Sequence, residues 1–326
     1  MRRSVEKLWS SGERASRPVK NRHAAGLREP LLRWAQQIGI VTEQTMSAFD
    51  AVDFYASFVH PTADFDRLLI IAQWTTLFFL FDDHVDQTAV TAIPATSWEL
   101  LHNLHRIVST GPDAPPEELV RSSPYARAFA DLWSRSRNAL GGLGWQRRFS
   151  AEISHYQQAQ IWELFNRPRK RFLDLTAFCE TKRFSTQAWT AVSFIELFTP
   201  RPVPDYLLDS HVLRTMAASA IDLIHLSTDI LSFDREVGSE SLPSSIATLQ
   251  TSLGYTLNQA FTHVEAVCSA RASTLRQLHA DLPALLAYLR CSEQDISAAC
   301  EWSNDLLRWT EGNFAWGAHT TRYATP

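Results

Sequence analysis

One stretch limits the fold of this chain more than any other: Trp74-Thr75-Thr76-Leu77-Phe78-Phe79-Leu80-Phe81-Asp82-Asp83-His84-Val85-Asp86. An almost wholly apolar run stops at two adjacent carboxylates, and a third follows three residues later. Neither Gly nor Pro interrupts it, so it reads as a buried helix whose end is acidic. At about 100° per residue, Asp82 and Asp86 share a face, and Asp83 sits one turn from Asp86. Acid near a helix C-terminus is opposed by the macrodipole, so three carboxylates there call for a compensating cation. Hard oxygen ligands with no cysteine nearby point to Mg²⁺ or Mn²⁺ rather than Zn²⁺. A solvated helix end is the plain alternative, and the long apolar approach argues against it.

The rest of the chain repeats the helical period. Apolar residues fall at helical spacing over residues 27–38, 46–58, 98–108, 124–140, 145–166, 172–184, 188–198, 206–235, 244–278, 283–289 and 292–309. Asp64 stands where it can cap the helix that carries the acidic motif. Residues 111–116, rich in Gly and Pro, read as a loop. No segment alternates with period two. The expected fold is therefore all-α, a single-domain helical bundle or barrel over residues 26–326. Residues 1–25, rich in Arg, Lys and Ser, read as a mobile arm.

Composition narrows the function. With 326 residues, 45% of them hydrophobic, the chain can bury a large core. A net charge of −4 with interleaved signs argues against a nucleic-acid footprint. Eleven Trp imply aromatic walls inside the fold as well as ordinary packing. Cys179, Cys268, Cys291 and Cys300 lack metal-ligand spacing and read as the buried thiols of a cytoplasmic protein. The basic start is not followed by a signal-peptide core. No apolar run looks long enough to span a bilayer, so no stable membrane insertion is expected.

A second constellation lies in Ser227-Thr228-Asp229-Ile230-Leu231-Ser232-Phe233-Asp234-Arg235-Glu236. Thr228, Ser232 and Glu236 recur every four residues, so three oxygen-bearing side chains form one stripe. A carboxylate and two neutral oxygens suit one hard cation. Alone, such a stripe is most simply a solvated face. Beside the acidic cluster, it describes one of two metal-binding walls for a metal-bridged diphosphate with a hydrocarbon tail.

These motifs resemble those of the class I terpene synthases (terpene cyclases) of the compact, single-domain bacterial and fungal type. Asp82 to Asp86 is similar to that family's DDxxD motif. Thr228 to Glu236 is similar to its second metal motif, NDxxSxx(K/R)E. The run Trp309 to Tyr323 resembles its W..GN..W segment followed by an RY pair. Residues 178–187 resemble a segment carrying the diphosphate-sensing arginine, with Arg183 in that place. The resemblance covers about residues 27 to 324, nearly the whole chain.

The resemblance implies a helical isoprenoid-synthase fold and Mg²⁺ as cofactor, three ions in all, with Mn²⁺ as a substitute. Asp82, Asp83 and Asp86 would hold two of the ions, and Thr228, Ser232 and Glu236 the third. Arg183, Lys182, Arg235, Arg322 and Tyr323 would donate to the diphosphate. The substrate would be a linear prenyl diphosphate, farnesyl diphosphate first and geranylgeranyl diphosphate second. Ionisation of its allylic C–O bond would give a carbocation that cyclises, with release of diphosphate. Phe78, Phe79 and Trp316 are the candidates for the substrate pocket's aromatic lining, since aromatic faces stabilise a nearby cation, and Gln187 joins the pocket by its position in the family's sensor segment. Proteins of this type often dimerise, so a homodimer is among the implied partners.

Two positions depart from the family pattern. Thr228 stands where Asn or Asp is usual, and its hydroxyl is a shorter, poorer metal donor. Gln187 stands where Gly is usual at a helix break. Two rival readings follow: a chain-elongating prenyltransferase of the related all-α fold, and a degenerate isoprenoid-binding protein without catalysis. The first normally carries two aspartate-rich motifs, whereas the second motif here is Thr/Ser/Glu.

Overall fold

The computed structural model describes residues 19–42, 45–91, 94–110, 115–140, 142–166, 173–197, 201–236 and 244–320. Most of the expected N-terminal arm and the Arg322-Tyr323 pair lie outside them. The described residues form α-helices, two short 3-10 turns and no strand, as the periodicity requires. They divide into two compact units. One spans Lys20–Phe165, and the other takes the described residues from Asn166 onward.

The first unit contains α1 (Arg28–Ile38), α2 (Met46–Val59), α3 (Phe65–Thr91), α4 (Pro94–Ser109), α5 (Glu117–Arg121), α6 (Pro124–Leu140) and α7 (Leu143–Asn166). Asp64 accepts the backbone N–H of Arg67 at 3.0 Å, so the cap read from the sequence holds the start of α3. Residues 71–78 of α3 are all buried. A helix that is apolar on every side belongs inside a core. Its centre is Trp74, stacked on Phe78 at 5.4 Å and edge-on to Phe129 and Phe149 at 5.0 and 5.1 Å. The Trp74 indole N–H donates to Ser136 Oγ at 2.9 Å, which removes the cost of burying a bare donor. Trp133 and Trp145 stack on Phe149 in turn. Three of the eleven tryptophans, Trp74, Trp133 and Trp145, therefore serve packing among α3, α6 and α7.

The acidic motif does not end α3, which continues to Thr91. This corrects the expectation of an acidic helix terminus. The macrodipole acts within the last turn, and Asp82 lies more than two turns before Thr91. Asp82 and Asp83 stand within the helix, half-buried, rather than at its end.

The second unit contains α8 (Leu175–Ser185), α9 (Ala188–Ser193), α10 (Asp205–Leu208), α11 (His211–Glu236), α12 (Ser245–Leu253), α13 (Leu257–Tyr288) and α14 (Glu293–His319). One core cluster joins α8, α11, α12 and α13 through Phe178, Leu223, Leu226, Ile230, Leu249 and Phe261. The segment His211–Phe233 of α11 is long and apolar enough to cross a membrane, contrary to the sequence expectation. It is 67% buried inside the protein, which marks a core helix.

The periodicity leaves 244–278 open as one long helix or a broken pair, and the broken pair is found; one further boundary differs from the periodic reading. The stretch 244–278 breaks at Gly254, whose φ of 67° ends α12. A capping box of Thr256 and Gln259 then starts α13. The motif T-x-x-Q after a Gly was legible as a helix start. A separate short helix was expected over 283–289, but Pro283 lies inside α13, which runs on to Tyr288. Leu282 and Leu286, one turn apart and both buried, hold the helix across it. Apolar anchoring there outweighs the lost backbone hydrogen bond.

Pro283 is exposed, so its removal sacrifices no packing. The Pro283→Ala variant is expected to be more stable by about 2 kcal/mol, the helix-interior penalty of about 3 kcal/mol less the roughly 0.4–1 kcal/mol of entropy returned to the unfolded chain. Urea denaturation checks this, and an unchanged or lower midpoint would refute it.

Candidate active site

On α3, Asp82, Asp83 and His84 are half-buried. The Asp86 side chain lies outside the described residues. Tyr125 packs over this turn, with its ring 5.0 Å from His84 and 5.8 Å from Phe81. Its hydroxyl donates to the Leu80 carbonyl at 3.4 Å. Burial, with the charge of Asp83, raises the Tyr125 phenol above its ordinary pKa. Burial lowers the His84 imidazole. One turn earlier, Phe78 is committed to Trp74, while Phe79 is half-buried and 5.9 Å from Tyr55.

On α11, Ser232 is buried and donates its hydroxyl to the Thr228 carbonyl at 2.8 Å. Its lone pairs remain for a further partner. Thr228 is half-buried, and the side chains of Asp234, Arg235 and Glu236 are outside the described residues. Asp229 is engaged elsewhere: its Oδ2 accepts the Ser245 N–H at 2.6 Å and so holds the start of α12. This leaves Thr228 and Ser232 as the described part of the stripe. The donors described on both helices are oxygens, which fits a hard divalent cation.

The third motif packs beside the second. Asn313 donates its amide to the Trp309 carbonyl at 2.8 Å, and Trp309 and Trp316 are both buried. A Cβ on Gly317 would stand 3.1 Å from Leu231 Cδ1. Glycine there lets α14 approach α11 next to Ser232.

Arg183, on α8, is the most firmly placed of the expected residues. Its Nε and Nη2 donate to the two oxygens of Asp222 at 2.6 and 2.7 Å, and its Nη1 donates to Glu180 at 2.6 Å. The Asp222 hydrogen bonds raise its pKa above the ordinary arginine value despite burial. Arg271, on α13, pairs with the same carboxylate at 2.8 Å. Lys182 lies 5.9 Å from the centre of the Phe178 ring. Asp222 and Arg271 were not singled out from the sequence. The signal was there: an acid flanked by Ile221 and Leu223 in a core helix must find a cation.

Gln187 stands at the break between α8 and α9 with φ 57°, a left-handed conformation that costs a non-glycine residue about 1–2 kcal/mol. Its carbonyl accepts from Thr190 Oγ1 at 2.6 Å and from the Ala191 N–H at 3.1 Å. The residue is 7% exposed. The break expected from the sequence is present, with glutamine bearing the strain that glycine would avoid.

Cys179, Asp222 and His225 place possible ligand atoms within 4.8 Å of one another. Their chemistry does not favour a metal. Asp222 already serves two guanidiniums, and burial pushes the Cys179 thiol up to about 12. This cluster is a structural core of the arginine site.

Comparison with known proteins identifies the family. The family described as "Terpene synthase family 2, C-terminal metal binding" matches residues 73–273, which include both metal motifs. The chain belongs to the class I terpene synthases. Pristinol synthase of Streptomyces pristinaespiralis is 27% identical to this terpene synthase over 93% of this chain and 82% of its own length. The (+)-T-muurolol synthase of Roseiflexus castenholzii, named as cyclising (2E,6E)-farnesyl diphosphate, is 25% identical over 93% of this chain and 90% of its own. The fold matches that of linalool/nerolidol synthase from Streptomyces clavuligerus, solved with 2-fluorogeranyl diphosphate. The TM-score is 0.81 at 20% identity, over 91% of this chain and 99% of that one. The enzyme is thus a lyase of the terpene-cyclising, metal-using class.

Burial, with the Lys182 and Arg183 charges, holds the His225 imidazole down at about 4, below its ordinary 6.5. The folded value lies below the unfolded one. The neutral ring's contribution is therefore complete above pH 6.5 and is lost as pH falls toward 4. The expected slope is about 1.4 kcal/mol per pH unit in that window. Urea midpoints at pH 7.5 and 5 should show the loss, and His225→Leu should make the decline shallower. An equal decline in the variant would refute the assignment.

Proposed function

We propose that this enzyme ionises and cyclises a linear prenyl diphosphate with Mg²⁺, with farnesyl diphosphate as first substrate and geranylgeranyl diphosphate as second. The observation that carries the reading is the Asp82-Asp83 pair, half-buried on α3 directly after an aromatic core turn. The farnesyl diphosphate-cyclising relative supports the choice of substrate.

Asp82, Asp83 and Asp86 would hold two metal ions, and Thr228, Ser232 and Glu236 a third. Bound Mg²⁺ supplies neutralisation of the charge that develops on the diphosphate leaving group. Arg183 donates to diphosphate oxygens from a guanidinium already oriented by Asp222, so no reorganisation is needed as the C–O bond breaks. Lys182, Arg235, Arg322 and Tyr323 complete the donors. The allylic carbocation then needs surroundings without nucleophiles. The rings of Phe79, Phe78 and Trp316 would each stabilise it by about 0.5–2 kcal/mol. Proton loss or water ends the reaction. A cytoplasmic enzyme fits the cysteine usage, and a homodimer fits the family type.

The test is incubation with Mg²⁺ and C10, C15, C20 or C25 prenyl diphosphates, with and without isopentenyl diphosphate. Cyclic hydrocarbons or alcohols are expected from the C15 substrate. Longer diphosphates would establish the prenyltransferase instead, and no product would establish a binding protein. Asp82→Ala should lower turnover by about 10²-fold or more, as the loss of a leaving-group stabiliser does; unchanged turnover would remove Asp82 from the site. Thr228→Asn, which supplies a longer neutral oxygen donor, should keep or raise turnover. Its inactivation would show that Thr228 is misaligned with the metal motif.

A further inference from the structure

Arg183 is held by two carboxylates of different kinds. Asp222 takes the Nε and Nη2 edge through two bonds, and its side chain is 0% exposed. Glu180 takes Nη1 through one bond, and its side chain is 58% exposed. The buried, two-point pair is rigid and costly to break, because the freed charge would stay buried. The exposed one-point pair is weak and easily exchanged with water or another anion. Glu180 and Arg183 are three residues apart on α8, so their contact forms within one helix turn and needs no rearrangement elsewhere. Charge points the same way. Arg183, Arg271 and Asp222 together carry +1, and Glu180 brings the group to zero. Asp222 leaves one N–H on Nη2 and two on Nη1, and Glu180 holds one of the latter, so an incoming anion competes with Glu180 at the Nη1 end, and withdrawal of Glu180 restores the positive charge of this cluster.

We propose that Glu180 is an internal competitor for the diphosphate, occupying the Nη1 edge of Arg183 and yielding it to a phosphate oxygen, while Asp222 is the positioning residue that keeps the guanidinium in place. The inference rests on the assignment of Arg183 to the diphosphate made above. Its consequence is a lowered affinity for the diphosphate group, in the released product as well as in the substrate. A carboxylate one turn away on the same helix would then help eject inorganic diphosphate after each cycle.

Calorimetric titration of the full-length protein with inorganic diphosphate, in the presence of Mg²⁺, tests this. Glu180→Gln should bind about 2- to 5-fold tighter than wild type, the range expected for release of an exposed ion pair. A gain in affinity cannot arise from damage to the fold. Arg183→Gln should bind more weakly, and adding Glu180→Gln to it should bring no further gain. Unchanged or weaker binding by Glu180→Gln overturns the proposal. So does a gain that persists without Arg183, because Glu180 would then act only as a distant negative charge. If Arg183→Gln binds like wild type, the assignment of Arg183 to the diphosphate fails, and the competitor role fails with it.

Discussion

A carboxylate sealed from water needs cations at bonding distance, and Asp222 is such a carboxylate. Arg183 and Arg271 meet it from α8 and α13, so one ion cluster ties together three helices of its unit. Its worth lies less in net stability, which buried ion pairs seldom supply, than in what it forbids. Any shift of α8 along α11 would strip the buried Asp222 of one of its two cations. The orientation of Arg183 and the position of the Thr228–Ser232 stripe, on the same α11, are thereby linked. Gly317 extends the arrangement, since it admits α14 to within contact of Leu231.

The other unit achieves rigidity by apolar means. Trp74 is enclosed by aromatic rings from α3, α6 and α7, and its one polar atom is satisfied by Ser136. The same helix then carries Asp82 and Asp83 without a break. A single rigid rod thus passes from a dry aromatic core to a carboxylate turn, and the fixed backbone sets where those carboxylates can point. Gln187 shows the opposite device. A strained left-handed residue is held between α8 and α9 by the packing around it, one turn after Arg183. Strain of this kind persists only where the surroundings over-determine it.

Periodicity and caps were enough to specify an all-α fold, and the family to which the chain belongs was legible from the resemblance of its motifs to those of a known family. Asp82 and Asp83 on one helix, Thr228 and Ser232 on another, and a break at Gln187 all follow from local rules that depend on residues a few positions apart. Apolar patterning could not place the end of α3, because a helix buried on every side over residues 71–78, Gln73, Thr75 and Thr76 included, has little periodic signal to lose. Nor could it carry α13 through Pro283, since propensity forbids what the buried Leu282 and Leu286 permit. Only the tertiary structure decided that Asp222 is the partner of Arg183 and that Arg271 shares it. These residues are up to 88 positions apart in sequence, and a charge in an apolar run announces that it needs a partner without saying which. Sequence determines a side chain's chemistry and its helix face; which cation reaches which buried anion is settled by the packing of helices against one another.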